Sequence, residues 1–513
     1  MTTLKLKESR SLIAVKTACF VIYALAMIVF ALRHEPWFDE SRAWELAKII
    51  DLTNFQEILS NEGHPILWYL FLMPFARLGF PYASISFLSA SVMITAAGLL
   101  LYYPKNKSMT NLILRVVLIF SPVCFYFYPV ISRSYCLSAL LIILTTLFFE
   151  DRKDHPFRLC ITVALLIQTH VFVVGFCFAV CVVSLTEALL LIRKDGKKAL
   201  KIMLALLIPF LSALFYFVEF SRIFEHRILT TGAMGMEGFV FPFFVQLFLL
   251  TGTAGMYCLI GALLLTVIFF VLVLYKFEIR PAVASIVIFF IACCGYAVIC
   301  HFYSSDSRGY FLIGYFVLFM LWNIYGGKDK PVSGVAFMVL PLIAAVSLTA
   351  GMWTYHGKIL CDDLKYPFSD ARKTAEAINS LPRDAVIYDY CACPGETVLP
   401  YLEDGRVLLT VDGHTVKDDV TFWNERLTEY TGGANPTQFV KDSNPGLEEI
   451  YVLYPLTESP TFPEQYRDTE YISAGYDHEI LYESADDVFY YYGLERFGIM
   501  KISFGQNRYS DLS

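Results

Sequence analysis

Residues 11–32 read SLIAVKTACFVIYALAMIVFAL, and residues 33–65 read RHEPWFDESRAWELAKIIDLTNFQEILSNEGHP. The first run is long and apolar enough to cross the hydrocarbon core of a bilayer. The second is polar, and its pattern predicts an amphipathic helix from about Glu40 to Ile50. Asp39 stands at the start of that helix, where the helix dipole stabilises a carboxylate by about 0.3–1 kcal/mol. The pattern therefore predicts a membrane anchor followed by a helix on the membrane surface, with Asp39 either as its N-cap or in a functional role.

The composition of the whole chain extends the membrane interpretation beyond this first run. Of 513 residues, 57% are hydrophobic and 17% are charged, whereas soluble domains have about 25% charged residues. The 44 Phe and 32 Tyr residues supply too much bulky apolar surface for a disordered chain. These values exclude a soluble enzyme and predict a polytopic α-helical membrane protein.

Apolar runs separated by short basic loops predict the topology. Loops on alternate sides hold 17 and eight Lys and Arg residues, and the richer side is cytoplasmic. The N-terminus is then cytoplasmic, and no small-residue cleavage site follows the first run, which predicts a retained anchor. Two shorter runs, Pro65–Gly79 and Phe239–Thr251, suit interfacial or re-entrant helices, and counting them as spans gives 13 crossings rather than eleven. The eleven predicted spans are about 11–32, 84–103, 112–130, 133–149, 157–171, 172–192, 200–219, 254–275, 281–302, 309–325 and 332–353.

A change of charge divides the chain near residue 353. Residues 1–353 hold 27 Lys and Arg against 19 Asp and Glu, and residues 354–513 hold 13 against 28. The first part is the predicted membrane module, whose first outside loop is 33–65, and the second is a predicted acidic, soluble, extracytoplasmic α/β domain. An acidic domain repels phosphate, so nucleic acid is not an expected partner. In the second part, a helix is predicted from Ser369 to Leu381 and strands at 385–390, 406–410, 450–454 and 479–482. Cys361, Cys391 and Cys393 leave a disulfide there open.

Two short motifs in the first outside loop resemble a known family. The W-x-D-E motif is Trp37–Glu40, and Glu62-Gly63-His64-Pro65 precedes the aromatic-rich run PILWYLFLMPFARLG. This order, after one span with a basic start, resembles the GT-C superfamily of integral-membrane glycosyltransferases. It is most similar to the branch that includes lipid A aminoarabinose transferase and protein O-mannosyltransferases. The resemblance covers roughly residues 10–220.

The resemblance implies roles for individual residues and a bacterial plasma-membrane location. In that family an acidic residue of the first outside loop is the catalytic base, which matches Asp39 with Glu40 beside it. An E-x-K-P element faces the donor phosphate and matches Glu62–Pro65. Here His64 replaces the lysine, and a neutral imidazole offers one donor and no fixed charge. Stabilisation of phosphate at this position is therefore open.

Sugar transfer from a polyprenyl phosphate also needs cations near the departing phosphate. Arg133 in PVISRSY, His170 in QTH and Arg308 in SSDSRGY lie at predicted outside hinges and are candidates for donor binding. The alternatives are an arginine bonded to carbonyls, a histidine satisfied by the backbone, and an Asp306–Arg308 surface pair. Because no metal-ligand spacing stands out, neither a metal nor another cofactor is predicted.

The predicted function is thus an inverting transfer of a sugar from a polyprenyl-phosphate donor to a hydroxyl of a glycan, lipid or protein acceptor. The predicted location is the extracytoplasmic face of the plasma membrane, with membrane lipid as a further partner. A transporter or flippase would place ionisable groups mid-membrane and show inverted repeats. Here the charges cluster at the outside ends of the predicted spans, and no repeat is found. The sequence also admits a non-catalytic assembly protein and a polymerase or ligase of the O-antigen type, although the long loop of such a polymerase would come late in the membrane module.

Overall fold

The computed structural model describes residues 10–62, 64–103, 109–230, 281–302, 307–325, 349–350, 353, 357–391, 393–416, 434–456, 464–486 and 495–507. The chain divides into two compact units, each assembled from separate stretches. The helical unit comprises Met1–Ala31, Gly63–Trp68 and Leu88–Gly357. The mixed unit comprises Leu32–Glu62, Tyr69–Phe87 and Lys358–Ser513.

Helices dominate the described part of the chain before residue 326. A π-helical turn, Val123–Phe127, leads into α7, and a 3₁₀ turn, Val171–Val173, leads into α10. The helices are α1 Arg10–Arg33, α2 Phe38–Ile49, α3 Phe55–Glu62, α4 Leu67–Arg77, α5 Ser84–Tyr102, α6 Met109–Ile119, α7 Tyr128–Val130, α8 Tyr135–Phe149, α9 Pro156–Ile167, α10 Val174–Leu191, α11 Gly196–Thr230, α12 Pro281–Phe302 and α13 Ser307–Tyr325.

Four helical segments of the described residues are long and apolar enough to span a membrane: α1, α5, Val171–Leu191 and the first part of α11. The predicted span 112–130 is bent by 57° between Leu112–Ile119 and Val123–Val130. Pro122 lies at this break and lacks a backbone N–H, which accounts for the interruption of the helix there. Helices α8, α9, α12 and α13 supply shorter apolar stretches. The predicted runs 239–251 and 254–275, and nearly all of 332–353, lie outside the described residues.

Two glycines allow α10 and α12 to cross at close range. A Cβ atom on Gly175 would lie 2.9 Å from Cα of Gly295, and a Cβ atom on Gly295 would lie 2.7 Å from Cα of Gly175. Small residues at helix crossings let backbones approach inside a membrane, where packing rather than water exclusion drives association. This pair therefore fixes a tight crossing in the helical unit.

The mixed unit contains a five-stranded sheet with the order β2-β1-β3-β5-β4. Strands β1, β2 and β3 are parallel, and β5 pairs antiparallel with both β3 and β4. Apolar side chains cover both faces, which makes β3 a nearly continuous apolar run, EIYVLYP. The further elements are β1 Ile387–Asp389, β2 Leu408–Leu409, β3 Glu449–Pro455, β4 Tyr476–Glu483, β5 Phe497–Asn507, α14 Ala371–Asn379, α15 Pro436–Ser443 and α16 Thr469–Ser473.

The predicted fold class, a polytopic helical membrane protein with a C-terminal α/β region, is confirmed. The four predicted strands are all present, and β5 is an additional strand that we did not predict. The predicted helix from Ser369 begins at Ala371, with the Ser369 hydroxyl accepting the Ala371 N–H at 3.2 Å. Cys361 and Cys391 are free thiols.

Helix α2 differs from the amphipathic surface helix that we expected. Its residues Asp39–Ala47 are all buried, so its polar side has no solvated face. The polar side chains are buried because other segments of the mixed unit pair with them, among them the 3₁₀ segment Cys393–Tyr401. The N-cap of α2 is Trp37 and not Asp39.

Candidate functional site

The first turn of α2 is held by two carboxylates. The first N–H groups of a helix have no partner within the helix, and carboxylates are favoured there. Glu40 Oε2 accepts the N–H of Trp37 at 3.0 Å, and Glu495 Oε1 accepts the N–H of Phe38 at 2.7 Å. Asp39 is the residue that follows Phe38 in the helix, and 5% of its surface is exposed. Because the N-cap of α2 is Trp37, Asp39 lies within the first turn of the helix and is not its N-cap residue.

His34 joins Glu40 to a distant carboxylate. Its Nε2 lies 3.1 Å from Glu40 and its Nδ1 lies 3.0 Å from Asp363. Burial opposes protonation, but the charges of Asp363 and Glu40 prevail and raise the pKa of His34 to about 10. His34 is therefore a cation that donates from both nitrogens. Glu40, which we predicted as a second catalytic carboxylate, accepts hydrogen bonds from both His34 and Trp37.

Arg42, one turn after Asp39, lies between two further carboxylates. Its Nη1 donates to both carboxylate oxygens of Glu396 at 3.0 Å, and its Nε donates to Glu62. Glu62 also accepts from the hydroxyl of Tyr69 at 3.2 Å. Burial raises the pKa of Glu396; Arg42 opposes this, and the charge of Glu62 adds to it. One guanidinium thus compensates two buried carboxylates.

The helical unit brings three other predicted residues together. An Nη2 hydrogen of Arg133 donates to Nε2 of His64. The rings of His64 and His170 lie with their centroids 4.9 Å apart, and Tyr135 stacks on His170 at 4.5 Å. His170 Nδ1 accepts the N–H of Phe172 at 3.2 Å. The result is a buried cluster of one guanidinium and two imidazoles; we call Arg133, His64 and His170 the basic cluster.

The basic cluster is built from turns rather than helix interiors. Arg133 lies between α7 and α8, and His170 precedes the 3₁₀ turn before α10. The N–H of Leu67, at the start of α4, donates to the carbonyl of Gln168 at 3.1 Å. This bond ties the chain after His64 to the turn that carries His170, which explains why residues about a hundred positions apart meet.

The structure thus groups the predicted site residues by unit. In the helical unit His64 contacts both Arg133 and His170. The other described site residues, Asp39, Glu40 and Glu62, lie in the mixed unit. The side chain of Arg308, the second residue of α13, lies outside the described residues. Within the described part, no group of three or more His, Cys, Asp or Glu side chains is arranged to hold a metal ion.

Several polar residues of the mixed unit were missed by the sequence analysis. Arg42 carried a usable signal, because it follows Asp39 by three positions and so shares its helix face. Glu396 and Glu495 carried none, since their partners are 354 and 457 residues away in sequence.

No family model matches the chain, and no curated protein matches it either. Among solved structures, it is similar to ArnT from Cupriavidus metallidurans, in a crystal structure bound to undecaprenyl phosphate. The similarity covers 97% of this chain and 99% of that chain, with 12% sequence identity and a TM-score of 0.45. At this distance it assigns no role to any residue of this chain.

Proposed function

We propose that this protein is a membrane glycosyltransferase of the GT-C type. It would transfer a sugar from a polyprenyl-phosphate donor to a hydroxyl of a glycan, lipid or protein acceptor on the extracytoplasmic face of the plasma membrane. The contact between Arg133 and His64 carries this proposal. His64 stands where the sequence resemblance leads one to expect a lysine, and the buried guanidinium beside it supplies the fixed positive charge that an imidazole lacks.

The basic cluster suits the phosphate of the donor. Guanidinium binds phosphate through paired, charge-assisted hydrogen bonds. His64 accepts at Nε2 and His170 accepts at Nδ1, so in the neutral rings the protons lie on Nδ1 of His64 and Nε2 of His170. Each of the three side chains thus carries at least one N–H group, the type of donor that binds phosphate. Arg308, at the start of α13, is a further proposed phosphate ligand.

Asp39 is the proposed base for the acceptor. In the reaction the acceptor oxygen bonds to the anomeric carbon as the bond from that carbon to the phosphate oxygen breaks, which inverts the centre. Asp39 takes the hydroxyl proton, and polyprenyl phosphate leaves with its charge stabilised by the basic cluster. A positioned base typically contributes about 10²–10⁴-fold. Because Glu40 binds His34 and the Trp37 N–H, we assign it to orienting this turn.

The test compares Asp39→Asn and Arg133→Gln with the wild type and with Glu57→Gln, an exposed carboxylate in the same segment. Lipid mass spectrometry of expressing cells should show one polyprenyl-phosphate sugar that builds up with the two site variants and not with the control. Purified wild-type protein given that lipid extract should release polyprenyl phosphate, and Asp39→Asn should do so about 10²–10⁴-fold more slowly.

Equal lipid pools in all strains, with folded and abundant variants, would contradict the transferase proposal. Movement of the sugar lipid across vesicles without release of polyprenyl phosphate would instead favour a transporter.

A further inference from the structure

Residues from the C-terminal part of the chain contact helix α2 at positions before and after Asp39. On the N-terminal side, Glu495 accepts the N–H of Phe38. On the C-terminal side, the backbone oxygen of Glu396 accepts the Ser41 hydroxyl at 2.8 Å, and its carboxylate binds Arg42. Asp39 is therefore bracketed by contacts at the residue before it and at residues two and three positions after it.

The backbone at Glu495 is hydrogen-bonded to neighbouring segments. It immediately precedes Arg496 and β5, and its carbonyl oxygen accepts the N–H of Asp370 at 3.2 Å. The carbonyl of Arg496 accepts the N–H of Leu456, next to β3, at 2.9 Å. The side chain of Glu495 is fully buried. The carboxylate that receives the first N–H of α2 is thus anchored to the sheet.

The 3₁₀ segment that carries Glu396 also makes close contacts. It follows β1, whose last residue, Asp389, accepts the N–H of Cys391 at 2.7 Å. A Cβ atom on Gly395 would lie 2.1 Å from Oδ2 of Asp389, so this segment can pack against Asp389 only because residue 395 is a glycine. Glu396 follows directly and points its carboxylate at Arg42.

We propose that Glu396 and Glu495 are positioning residues for the transfer reaction: they form a clamp that fixes the first turn of α2 and thereby the Asp39 carboxylate. This inference rests on the proposed function for the role of Asp39. A carboxylate displaced by about 1 Å from its productive position can cost roughly 10²-fold in rate. The α/β region would then contribute to catalysis through these two contacts, without touching the substrate through either residue.

The experiment uses the full-length protein in lipid nanodiscs and the variants Glu495→Ala, Glu495→Gln and Glu396→Ala. Glu449→Gln is the control, because this carboxylate pairs with Lys501 at a partly exposed position of the same sheet. Hydrogen–deuterium exchange of peptides covering residues 36–44 reports the first turn of α2 directly. Turnover and KM are measured with the polyprenyl-sugar lipid extract.

Glu495→Ala and Glu396→Ala should raise exchange in this peptide by about tenfold or more and lower kcat by roughly 10²-fold, with KM for the lipid unchanged. Glu495→Gln keeps an oxygen acceptor for the Phe38 N–H and should restore both values towards the wild type. The control should match the wild type in both measurements.

Exchange that stays at the wild-type level in both alanine variants overturns the clamp, whether or not the protein transfers sugar. Faster exchange with undiminished kcat also overturns it, because Asp39 would then work without the fixed turn. A Glu495→Gln variant that is as impaired as Glu495→Ala in both measurements also overturns the clamp. A folded wild-type protein that releases no polyprenyl phosphate counts against the proposed function and leaves the exchange result to decide the clamp.

Discussion

At the scale of single residues, His34 shows how the mixed unit keeps several carboxylates buried. Glu40 lies six residues away in sequence and Asp363 lies 329 residues away, and the imidazolium compensates both. Removing one partner of a buried charge pair leaves an uncompensated charge, at a cost of about 3–5 kcal/mol. We therefore expect His34 to stabilise this region as a cation.

The His34→Gln variant should be less stable in a way that depends on pH. The folded-state pKa of about 10 lies above the ordinary value of 6.5, so the stabilising effect is complete below about pH 6.5 and is lost as the pH rises towards 10. Thermal unfolding of detergent-solubilised protein should show a gap from the wild type equivalent to about 3–5 kcal/mol at pH 6, shrinking by pH 10. His414→Gln, at an exposed position, is the control. A gap that stays constant over this range would contradict the prediction.

Sequence alone identified residues by their position at the ends of apolar runs. That reasoning selected Arg133 and His170, whereas His64 was selected by the family resemblance. The structure places His64 in contact with both of the other residues. Sequence reasoning did not find Glu396 or Glu495, because a pairing across hundreds of residues leaves no periodic pattern near either partner. Local sequence reports burial and helix ends, whereas such pairings depend on how distant segments meet.

At the scale of elements, the crossing of α10 and α12 depends on the space that Gly175 and Gly295 leave free. Each glycine faces the backbone of the other, so a side chain cannot turn away from the contact. Overpacking of a tightly packed contact costs about 1–3 kcal/mol. The helical unit should consequently be sensitive to a single added methyl group at this crossing.

Gly175→Ala should lower the thermal unfolding temperature of the protein in detergent, by the equivalent of about 1–3 kcal/mol. Gly314→Ala in α13 is the matched control, since a Cβ atom there meets nothing within 4 Å in the part of the chain that the structure describes. The control should be neutral or more stable by up to about 1 kcal/mol, because alanine favours a helix over glycine. Equal effects of the two substitutions would show that the crossing is not tight.

The elements that sequence predicted well are those with a strong local pattern. Strand β3 is a continuous apolar run and was found within a residue at each end. Strand β5 was missed because Gly498 interrupts its pattern. A Cβ atom at Gly498 would lie 2.2 Å from the ring of Tyr454, so this glycine serves a close packing contact that only the folded sheet reveals.

At the scale of the whole molecule, the division of the chain by charge differs from its division into two compact units. The balance of charge changes near residue 353, whereas the mixed unit joins Leu32–Glu62 and Tyr69–Phe87 to Lys358–Ser513. Within this unit, buried pairs such as Arg42–Glu396 and His34–Asp363 connect the early and late stretches. Removing the late stretch would take one of the two carboxylate partners from Arg42 and one from His34.

A chain ending at residue 357 should therefore lose the structure of residues 34–47 and release no polyprenyl phosphate. Limited proteolysis with mass spectrometry should show new cleavage within that stretch, while α9 and α10, which lie in the helical unit, stay protected. The full-length Glu449→Gln variant serves as the control for handling and detergent. Protection of residues 34–47 equal to that of the full-length protein would contradict this prediction.

The contact between Glu495 and Phe38 can form only late in the synthesis of the chain. The two residues are separated by 457 positions, and ribosomes add about 5–20 residues per second, so roughly 20–90 s pass between their syntheses. Throughout that interval the nascent α2 lacks the acceptor for its first N–H group. A newly made molecule would thus insert its helices first and gain its ordered Asp39 last, which delays any reaction at that carboxylate until translation of the C-terminal sheet is complete.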